Sequence, residues 1–576
     1  MSYKEIYNTW VGAPGIVDYL KEELLAIKND EAKIEDAFYA PLEFGTAGMR
    51  GTIGAGINRM NIYTVRQATE GLAKLIEDWG QEAKDRGVAI SYDSRNFSPE
   101  FAEESARVLA AHGIKVYLFT SLRPVPVLSF TVRELNCIAG IMITASHNPA
   151  AYNGYKIYGE DGGQMPPADA DKLTAYVREI DDLFAVGAVE YKSAVDQGVI
   201  ELIDEAIDTK YLEAVKTVTI NQSLINEYGK NLKIVFTPLH GAGEMLGGRA
   251  LKQAGFDNYV LVEEQKEPNG DFPTVYNPNP EFIEAFELAI KTGKEVGADI
   301  LIATDPDADR LGCAVLMPNG EYQVLTGNQI GSILVKYILE AHKQAGTLPA
   351  NAKILKSIVS SELPTAIAAS YGAEVVNVLT GFKFIAEKIE QYEQDGSGTF
   401  MFGFEESYGY LVKSFARDKD AIQALVLLSE VAAYYASLGK NLYDGLQDIF
   451  AEYGFYEEQT TPVTMAGITG AEKIKALMAK VRAEAPSEFG GLEVVKFEDF
   501  KLLTRTDVAS GSVETLTTPP SDVLKYFLAD GSWVAIRPSG TEPKIKFYIA
   551  TVGATPEEAS AKVADINATI SELTGE

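Results

Sequence analysis

The chain has 576 residues, and its 51 lysines and arginines against 82 aspartates and glutamates give a formal net charge of −31 at pH 7. A protein this acidic repels nucleic-acid backbones and anionic lipids, so we expect neither nucleic acid nor a membrane as a partner. Hydrophobic residues make up 46% of the chain. This excludes wholesale disorder, and at about 100–200 residues per domain the length indicates three to five folded domains.

Three features of the sequence indicate the cellular compartment of the protein: its cysteines, its first residues and one apolar run. The two cysteines, Cys137 and Cys313, lie in apolar runs, and the single disulfide they could form would not stabilise a protein of this size. They therefore indicate core residues in a reducing cytoplasm. The opening residues lack the basic-then-apolar order of a signal peptide. The nearly uncharged run 421–439 carries Glu430 at its centre and has charged flanks, which favours a buried helix over a membrane span.

Residues 1–40 are charged and helical in pattern, and we expect an N-terminal extension that packs on the first domain. The chain then alternates short apolar strands with helices. The first such set has predicted strands at 88–92, 115–119 and 138–143 and predicted helices at 99–112 and 125–135. Short apolar strands between helices are typical of buried, largely parallel sheets.

The same alternation recurs twice and then changes. The second set has predicted strands at 233–236, 259–262 and 299–303, one helix ending at 251 and another at 280–296. The third has predicted strands at 354–359, 374–379 and 399–402 and helices at 363–370 and 382–393. The last segment has strands at 533–536 and 546–550 and a helix at 556–573, the pattern of a smaller α+β domain. The predicted fold class is α/β, with domains at 1–205, 206–322, 323–452 and 453–576.

A polar loop follows the third strand of each set. These loops are 144–149, 304–310 and 403–407. Ligands of open α/β sheets collect beyond the carboxyl ends of the strands. The three strand ends therefore predict one site, built where the units meet.

Asp305, Asp307 and Asp309 alternate directly after an apolar strand. Three carboxylates this close repel one another unless a cation neutralises them, and hard oxygen ligands favour Mg²⁺, Mn²⁺ or Ca²⁺. An EF-hand is excluded because Arg310 takes the place of its glycine. Arg310 beside metal ligands indicates a second anion, such as a phosphate. The alternative interpretation is a solvated acidic turn at Pro306.

Ser146 lies in a loop with His147 and Asn148. A serine hydroxyl accepts a phosphoryl group when a metal neutralises the oxygens, and the Gly-x-Ser-x-Gly elbow of hydrolases is absent. Lys156, further along, supplies a cation and a candidate proton carrier. The same residues are also compatible with a helix-capping turn and a solvated surface lysine.

Two glycine-containing segments are candidate anion sites. Residues 537–544 combine an arginine, hydroxyl groups and free backbone N–H groups around a glycine, which is the composition of an anion nest. A tight Pro/Gly turn is the alternative. The segment 44–51, which is glycine-rich and contains Arg50, is by itself only weak support for an anion site.

Together and in this order, these loops resemble those of the α-D-phosphohexomutases, the family of phosphoglucomutases and phosphomannomutases. The resemblance spans about residues 41–550 and rests on 144–149, 305–310, 403–407 and 537–543. It implies four domains around a central cleft, three of them similar α/β sheet domains and the last a smaller α+β domain. It also implies an intramolecular phosphotransferase that interconverts glucose 1-phosphate and glucose 6-phosphate.

The resemblance further implies roles for individual residues. Ser146 is a phosphoserine in the active enzyme, Lys156 is the general acid/base, and Arg50 assists near the serine; for His147 we leave open whether it orients the serine or transfers a proton. One Mg²⁺ is held by Ser146, Asp305, Asp307 and Asp309. The residues expected to bind substrate are Arg310, Thr380, Gly381, Lys383, Glu405, Ser407, Lys419, Arg537, Ser539, Gly540 and Thr541. A lysine exchanges protons at neutral pH only if positive charge or burial lowers its pKa, so a lowered pKa is required of Lys156.

The implied cofactors are Mg²⁺ and glucose 1,6-bisphosphate, which serves as activator and intermediate. The implied partner is a small-molecule sugar phosphate, and we expect a monomer or weak homodimer. Residues 380–384 are similar to the sugar loop of glucose-specific members, while a phosphomannomutase or phosphopentomutase is the alternative within the family. Pro306 departs from the glycine of many members without putting metal binding in doubt. Outside the family, the alternatives are a phosphatase with Asp305 as nucleophile and a non-catalytic sugar-phosphate sensor.

Overall fold

The structure of the chain is a computed structural model that describes residues 2–45, 48–465, 470–539 and 544–575. It divides into two compact units. The first comprises Met1–Ile330 and Ile385–Asn441, and the second comprises Gly331–Phe384 and Leu442–Glu576. The predicted third domain, 323–452, therefore contributes to both units.

The N-terminal extension is helical, as predicted. Its helices are α1 (Tyr3–Gly12), α2 (Asp18–Ala26) and α3 (Glu31–Phe38). Trp10 is buried and meets the ring of Tyr63 edge-on at 5.7 Å and that of Phe184 at 5.2 Å. The extension thus packs on the first α/β region through aromatic contacts, as the sequence predicts.

The first α/β region contains one six-stranded sheet. Its elements are β1 (Gly48–Thr52), α4 (Ile62–Trp79), α5 (Gln81–Arg86), β2 (Val88–Tyr92), α6 (Ser98–Ala111), β3 (Val116–Phe119), α7 (Val125–Glu134), β4 (Ala139–Ile143), β5 (Tyr152–Tyr158), α8 (Pro167–Arg178), α9 (Tyr191–Asp196) and β6 (Ile200–Ile203). The strand order is β1-β5-β4-β2-β3-β6. β2 pairs in parallel with β3 and β4, as predicted, whereas β5 runs antiparallel to β4 and β1. β1 and β5 are absent from the sequence prediction because β1 is rich in glycine and polar residues, while Asn153, Gly154 and Lys156 interrupt the apolar residues of β5.

The second α/β region contains a five-stranded sheet of order β11-β10-β9-β7-β8. Its elements are α10 (Glu205–Val215), α11 (Gln222–Leu224), β7 (Ile234–Thr237), α12 (Gly243–Ala254), β8 (Tyr259–Leu261), α13 (Glu287–Val296), β9 (Ile300–Thr304), β10 (Leu311–Leu316) and β11 (Tyr322–Val324). The start of the predicted helix at 280–296 is wrong, since α13 begins at Glu287. Pro280 has no N–H to donate, and the Asn279 side chain accepts the Glu281 N–H at 3.1 Å, which favours a turn.

The third region contributes to both units. Its elements are α14 (Gly327–Gln344), β12 (Ala352–Ser357), α15 (Leu363–Tyr371), β13 (Glu374–Val378), α16 (Phe382–Asp395), β14 (Thr399–Glu405), β15 (Gly409–Leu411), α17 (Ala421–Ser437) and α18 (Leu442–Tyr453). In the second unit β12 and β13 pair in parallel. In the first unit β14 and β15 form an antiparallel hairpin.

Helix α17 is the buried helix that the sequence predicts. Glu430 at its centre is fully buried and accepts the N–H groups of Ile220 at 3.0 Å and Asn221 at 2.7 Å. These bonds satisfy a carboxylate that an apolar environment alone would disfavour. Among the described residues, no single helix is long and apolar enough to cross a membrane, and α17 with α18 meets the length and composition only as a broken pair.

The C-terminal region is an antiparallel sheet with helices, which confirms the predicted change to α+β. Its elements are β16 (Phe455–Thr464), α19 (Gly470–Ala483), β17 (Glu488–Phe489), β18 (Leu492–Asp499), β19 (Thr504–Asp507), β20 (Val513–Thr515), β21 (Leu524–Leu528), β22 (Trp533–Pro538), β23 (Lys544–Gly553) and α20 (Pro556–Thr574). The strand order is β16-β23-β22-β21-β18-β19-β20. Three α/β regions followed by this domain confirm the predicted fold class, while the four predicted domain boundaries stay a prediction.

The second unit contains a buried ion cluster. Lys356 and Lys525 are both almost fully buried and both contact Glu362, at 3.1 Å and 3.3 Å. Burial lowers the pKa of Lys525 to about 8. Burial alone would raise the pKa of Glu362, but Lys356 and Lys525 lower it from 4.5 to about 2. Glu362 therefore stabilises the fold above about pH 4.5, and this contribution is lost as the pH falls toward 2.

We expect Glu362→Gln to lower the free energy of unfolding at pH 7 by about 3 kcal/mol, because it leaves two buried lysines without their anion. Urea denaturation of the full chain measures this loss. The control is Glu374→Gln, which removes an exposed partner of Lys353 in the same unit and should cost less than about 1 kcal/mol. Equal losses in the two variants would contradict the cluster's role.

Candidate active site

The serine loop follows β4 and is held in an unusual backbone conformation. Ser146 has a φ of 52°, in the left-handed region that non-glycine residues rarely adopt, and its side chain is buried. Its N–H donates to Thr144 Oγ1 at 2.8 Å. Its hydroxyl donates to Asp305 Oδ2 at 3.0 Å, and the hydroxyl oxygen lies 3.2 Å from His147 Nδ1. The loop thus directs the serine hydroxyl toward the acidic loop.

The acidic loop follows β9, and three helix N-termini hold its backbone. Successive carbonyls accept the first free N–H groups of α12, α7 and α17. The bonds run from Ala242 N to Pro306 O at 2.8 Å, from Val125 N to Asp307 O at 2.9 Å and from Ala421 N to Ala308 O at 3.2 Å. These bonds use N–H groups that have no partner within their own helices, and helix N-termini favour nearby negative charge.

The carboxylates of Asp305, Asp307 and Asp309 are buried, and ligand atoms from all three lie within 4.8 Å of one another. Asp305 Oδ1 accepts the N–H groups of Asp309 at 3.1 Å and Arg310 at 3.0 Å. Burial, and then repulsion by the other two carboxylates, raises the pKa of Asp305 well above its usual range. In the described part of the chain, Asp307 Oδ1 and Asp309 Oδ1 are buried without a hydrogen-bond partner. Hard, closely spaced oxygens with unused acceptors suit a divalent metal ion.

Cations surround the acidic triad. Lys156 Nζ lies 2.9 Å from Asp307 Oδ2, and Lys419 Nζ lies 3.1 Å from Asp309 Oδ2. Arg310 Nε lies 3.9 Å from Asp309 Oδ1. Although burial raises the pKa of a carboxyl group, these three cations hold the pKa of Asp309 below its usual value. Positive charge therefore gathers locally in a protein whose net charge is strongly negative.

The structure corrects one expectation for Lys156. Burial acts to lower its pKa, but the carboxylates of Asp307 and Asp309 outweigh burial and raise the pKa above its usual value. The lowered pKa that a neutral-pH proton carrier requires is not produced by this arrangement. Lys156 extends from β5, where its backbone pairs with that of Met142 in β4.

The remaining serine-loop residues are close by. Arg50, on β1, donates from Nη1 to Asn148 Oδ1 at 3.1 Å. Burial, followed by the positive charge of Arg310, holds the pKa of His147 well below its usual range, so its imidazole is neutral at pH 7. Arg310 also pairs with Glu281, a residue that the sequence analysis does not identify.

The β14–β15 hairpin joins the same site. Glu405 is the last residue of β14 and is buried, whereas the sequence predicts it in a loop. Leu311 N donates to Tyr408 O at 3.0 Å, which ties the hairpin to the strand after the acidic loop. Ser407 is half-buried in the turn of this hairpin. A Cβ at Gly409 would lie 2.2 Å from Lys419 Cδ, so only glycine leaves room for that side chain.

The other predicted substrate residues belong to the second unit. Thr380 has a buried hydroxyl with no partner among the described residues, and Gly381 has a φ of 124°. Lys383 Nζ lies 5.2 Å from the ring centroid of Phe384. Arg537 lies within β22, where the sequence predicts a loop, and Ser539 N donates to the Lys544 carbonyl at 2.8 Å. Gly540 and Thr541 lie outside the described residues.

Sequence reasoning misses several residues that shape the site. Asp93 is the first residue after β2 and Arg95 the third, and Arg95 reaches the serine loop. Their position after a buried strand is the signal that could identify them. Leu239 and His240, after β7, both have positive φ values, 48° and 60°. Backbone positions of this kind gather at functional sites.

Gly241 backs the acidic loop and has no room for a side chain, since a Cβ there would lie 2.4 Å from Pro306 Cα. Gly241→Ala must therefore displace the acidic-loop backbone. We expect about a tenfold loss of divalent-metal affinity, and a loss of about 2 kcal/mol in the free energy of unfolding. Calorimetric titration with Mg²⁺ and urea denaturation measure both effects. Gly187→Ala is the control because nothing lies within 4 Å of its Cβ position; unchanged metal affinity in Gly241→Ala would contradict the role of this contact.

Comparison with known proteins places this chain in a family. Four domain descriptions of phosphoglucomutase/phosphomannomutase match the chain: alpha/beta/alpha domain I at 41–183, domain II at 209–317, domain III at 326–453 and the C-terminal domain at 471–569. A phosphoglucomutase of Staphylococcus epidermidis is 38% identical over 548 residues, which cover 94% of this chain and 96% of that protein.

Solved structures share the fold. A phosphoglucomutase/phosphomannomutase family protein from Burkholderia thailandensis aligns with a TM-score of 0.65 at 19% identity, covering 92% of this chain and 97% of that one. Parafusin, a phosphoglucomutase from Paramecium, aligns with a TM-score of 0.69 at 17% identity, covering 93% and 96%. The resemblance predicted from the sequence motifs is confirmed: the chain belongs to the phosphoglucomutase/phosphomannomutase family.

Proposed function

We propose that the chain is a phosphoglucomutase that interconverts α-D-glucose 1-phosphate and glucose 6-phosphate. The observation that carries this proposal is the Ser146 hydroxyl, which is buried and lies 3.0 Å from a carboxylate of the acidic triad. A serine held beside a divalent-metal site is suited to accept and return a phosphoryl group. The sequence similarity to a phosphoglucomutase over nearly the whole chain supports the glucose assignment.

In the proposed cycle, phosphorylated Ser146 transfers its phosphoryl group to the O6 hydroxyl of glucose 1-phosphate. The bond between phosphorus and Ser146 Oγ breaks while a bond from phosphorus to O6 forms; O6 loses its proton and Ser146 Oγ gains one. The resulting glucose 1,6-bisphosphate reorients, and its 1-phosphoryl group is transferred to Ser146: the bond between phosphorus and O1 breaks, a bond to Ser146 Oγ forms, and O1 gains the proton that Oγ loses. Glucose 6-phosphate then leaves, and the serine is again phosphorylated.

Mg²⁺ is the proposed cofactor, held by Asp305, Asp307, Asp309 and an oxygen on Ser146. When bound, it neutralises charge on the phosphoryl oxygens. Arg310 and Lys419, which already lie beside Asp309, add positive charge around the transferring group. Lys156 is proposed to exchange the proton when Mg²⁺ is bound, because the charge of the metal would offset the carboxylates of Asp307 and Asp309 that raise the pKa of Lys156.

Arg50 and His147 are proposed to orient the serine loop, because Arg50 bonds to Asn148 and the His147 ring lies 3.2 Å from Ser146 Oγ. Glu405 and Ser407 are proposed to bind sugar hydroxyls. We propose that a further set of residues binds the sugar ring and the phosphate that is not being transferred. These residues are Thr380, Gly381, Lys383, Arg537, Ser539, Gly540 and Thr541. A small-molecule sugar phosphate is thus the proposed partner. We also propose that the chain has four domains, with the boundaries given above.

Turnover of the 1-phosphates of glucose, mannose, ribose and glucosamine tests the proposal. The assay contains Mg²⁺ and a trace of the matching bisphosphate. We expect glucose 1-phosphate to have the highest kcat/KM. A clear preference for mannose or ribose would place the chain with the other activities of its family, and turnover of none would overturn the proposal.

A further inference from the structure

Arg95 is a buried arginine whose side chain binds backbone carbonyls of the serine loop. It is the third residue after β2, and its side chain has no solvent exposure. Its guanidinium donates from Nη2 to the carbonyls of Ser146 and Asn148. It donates from Nη1 to the carbonyls of Pro149 and Tyr152, both at 3.0 Å. One side chain therefore fixes four carbonyls along the segment that carries the serine.

Burying a guanidinium is costly unless its charge is compensated. Burial acts to lower the pKa of Arg95, while nearby carboxylates oppose this effect. The nearest is Asp93, whose Oδ2 lies 3.4 Å from Arg95 Nε. The other face of the guanidinium lies 5.0 Å from the ring centroid of Phe272, a cation–π contact. The chain thus maintains a fully buried charge whose direct hydrogen bonds go to a loop backbone.

The other side of the Ser146 backbone is fixed by Asp93. Asp93 Oδ1 accepts the Arg95 N–H and the Ser98 hydroxyl, both at 2.9 Å. Asp93 Oδ2 accepts the Thr144 hydroxyl at 2.6 Å, and Thr144 Oγ1 in turn accepts the Ser146 N–H. Arg95 therefore holds the Ser146 carbonyl, while the Thr144–Asp93 chain holds the Ser146 N–H.

Fixing both peptide groups of Ser146 specifies its backbone angles. Without these bonds, a residue with a Cβ would leave a φ of 52° for a more common conformation. Rotation out of this conformation would carry the hydroxyl away from Asp305 Oδ2, with which it now makes a 3.0 Å hydrogen bond. The orientation of the nucleophile thus depends on groups that the reacting atoms do not touch.

We propose that Arg95 is a positioning residue for the serine, one that holds Ser146 in the left-handed conformation from which its hydroxyl faces the acidic triad. This inference rests on the proposed phosphoryl transfer at Ser146. The Arg95 side chain bonds to carbonyls of residues 146–152 and contacts Asp93 and Phe272. None of these bonds goes to a reacting atom, so its effect acts through the geometry of the loop.

Arg95→Met tests the proposal because methionine keeps an unbranched side chain and removes every donor. The full-length protein is mixed with glucose 1,6-bisphosphate and Mg²⁺, and intact mass follows phosphorylation of the protein over time. We expect the rate per folded chain to fall about 100-fold, as misplacing a reacting group by about 1 Å would cause. The KM for glucose 1-phosphate should stay within about threefold of the wild-type value, because the substrate contacts are retained.

Arg95→Lys is the second variant, since it keeps the charge and some of the donors. We expect phosphorylation about tenfold slower than wild type, because an ammonium with three donors cannot serve all four carbonyls. It serves as the test by itself if Arg95→Met does not fold. Arg107→Met is the matched control: Arg107 also donates to a loop carbonyl, that of Val189, and to a carboxylate, that of Glu104, yet lies outside the site. Its phosphorylation rate should equal that of wild type.

The outcomes separate the inference from the function on which it rests. If the wild-type protein is phosphorylated and both Arg95 variants react at the same rate per folded chain, the inference alone is overturned. A loss of folded protein without a slower rate would likewise contradict it, because it would show a merely structural role for Arg95. A wild-type protein that is never phosphorylated would overturn the proposed function and, with it, the inference.

Discussion

Replacing Ser146 with alanine should lower the interconversion of glucose 1-phosphate and glucose 6-phosphate by at least about 10⁴-fold, because it removes the proposed phosphoryl acceptor. Alanine loses only the hydroxyl that donates to Asp305, so the acidic triad and its surrounding cations should stay in place. A coupled assay of glucose 6-phosphate formation measures the loss. Binding of glucose 1-phosphate, measured by calorimetry, should change by less than about threefold.

The same variant separates the mutase from its rivals. A phosphatase using Asp305 as the nucleophile would continue to release inorganic phosphate in Ser146→Ala, and a non-catalytic sensor would show no turnover in the wild-type protein either. The control is Ser105→Ala, a buried serine of the same region whose hydroxyl donates to the Phe101 carbonyl in α6. It should keep wild-type activity. Substantial mutase activity in Ser146→Ala would remove Ser146 from the mechanism.

Asp305→Asn should lower activity by about 10³-fold, because a metal-neutralised phosphoryl transfer loses one of its anionic ligands. The amide oxygen can still accept the N–H groups of Asp309 and Arg310, so the acidic loop keeps its backbone bonds. The other carboxylate oxygen, which faces the Ser146 hydroxyl, becomes an NH₂ group that cannot ligate a cation. This substitution therefore tests the metal ligand while retaining the shape of the loop.

Stability provides a second readout for Asp305→Asn. Three buried carboxylates repel one another, so removing one charge should leave the thermal unfolding temperature in EDTA equal to or above that of wild type. Addition of Mg²⁺ should raise the unfolding temperature of wild type but much less that of the variant, because a ligand that binds only the folded state stabilises it. Asp257→Asn, at an exposed position in the same region, should respond to Mg²⁺ like wild type. An equal Mg²⁺ response in Asp305→Asn would remove Asp305 from the metal site.

The strands that carry the site loops could be predicted because they are short, apolar and buried. β4 and β9 are examples, and the loops that follow them contain Ser146 and the acidic triad. β5 could not be predicted in this way, since its burial depends on pairing with β4 and β1 and its apolar residues are interrupted by Asn153, Gly154 and Lys156. Lys156 could therefore be identified from the family motif but not assigned to a strand.

The supports of the site were harder to predict than its reactive groups. The bonds from Val125 and Ala421 to the acidic loop use backbone atoms, which carry no sequence signal. Arg95 bonds mainly to carbonyls, so its contacts follow from the fold and not from a charge pattern. Contacts between charged residues that are distant in the sequence were equally hard to predict. The sequence identifies Lys156 as a candidate proton carrier, but only the structure shows Asp307 and Asp309 raising its pKa.

The most direct test of the account is to locate the phosphoryl group after reaction with glucose 1,6-bisphosphate labelled with ³²P. The account predicts one labelled group per chain, mapped by peptide digestion to Ser146, stable to hydroxylamine and transferred to sugar when unlabelled glucose 1-phosphate is added. A hydroxylamine-sensitive label on Asp305, or label released only as inorganic phosphate, would contradict it.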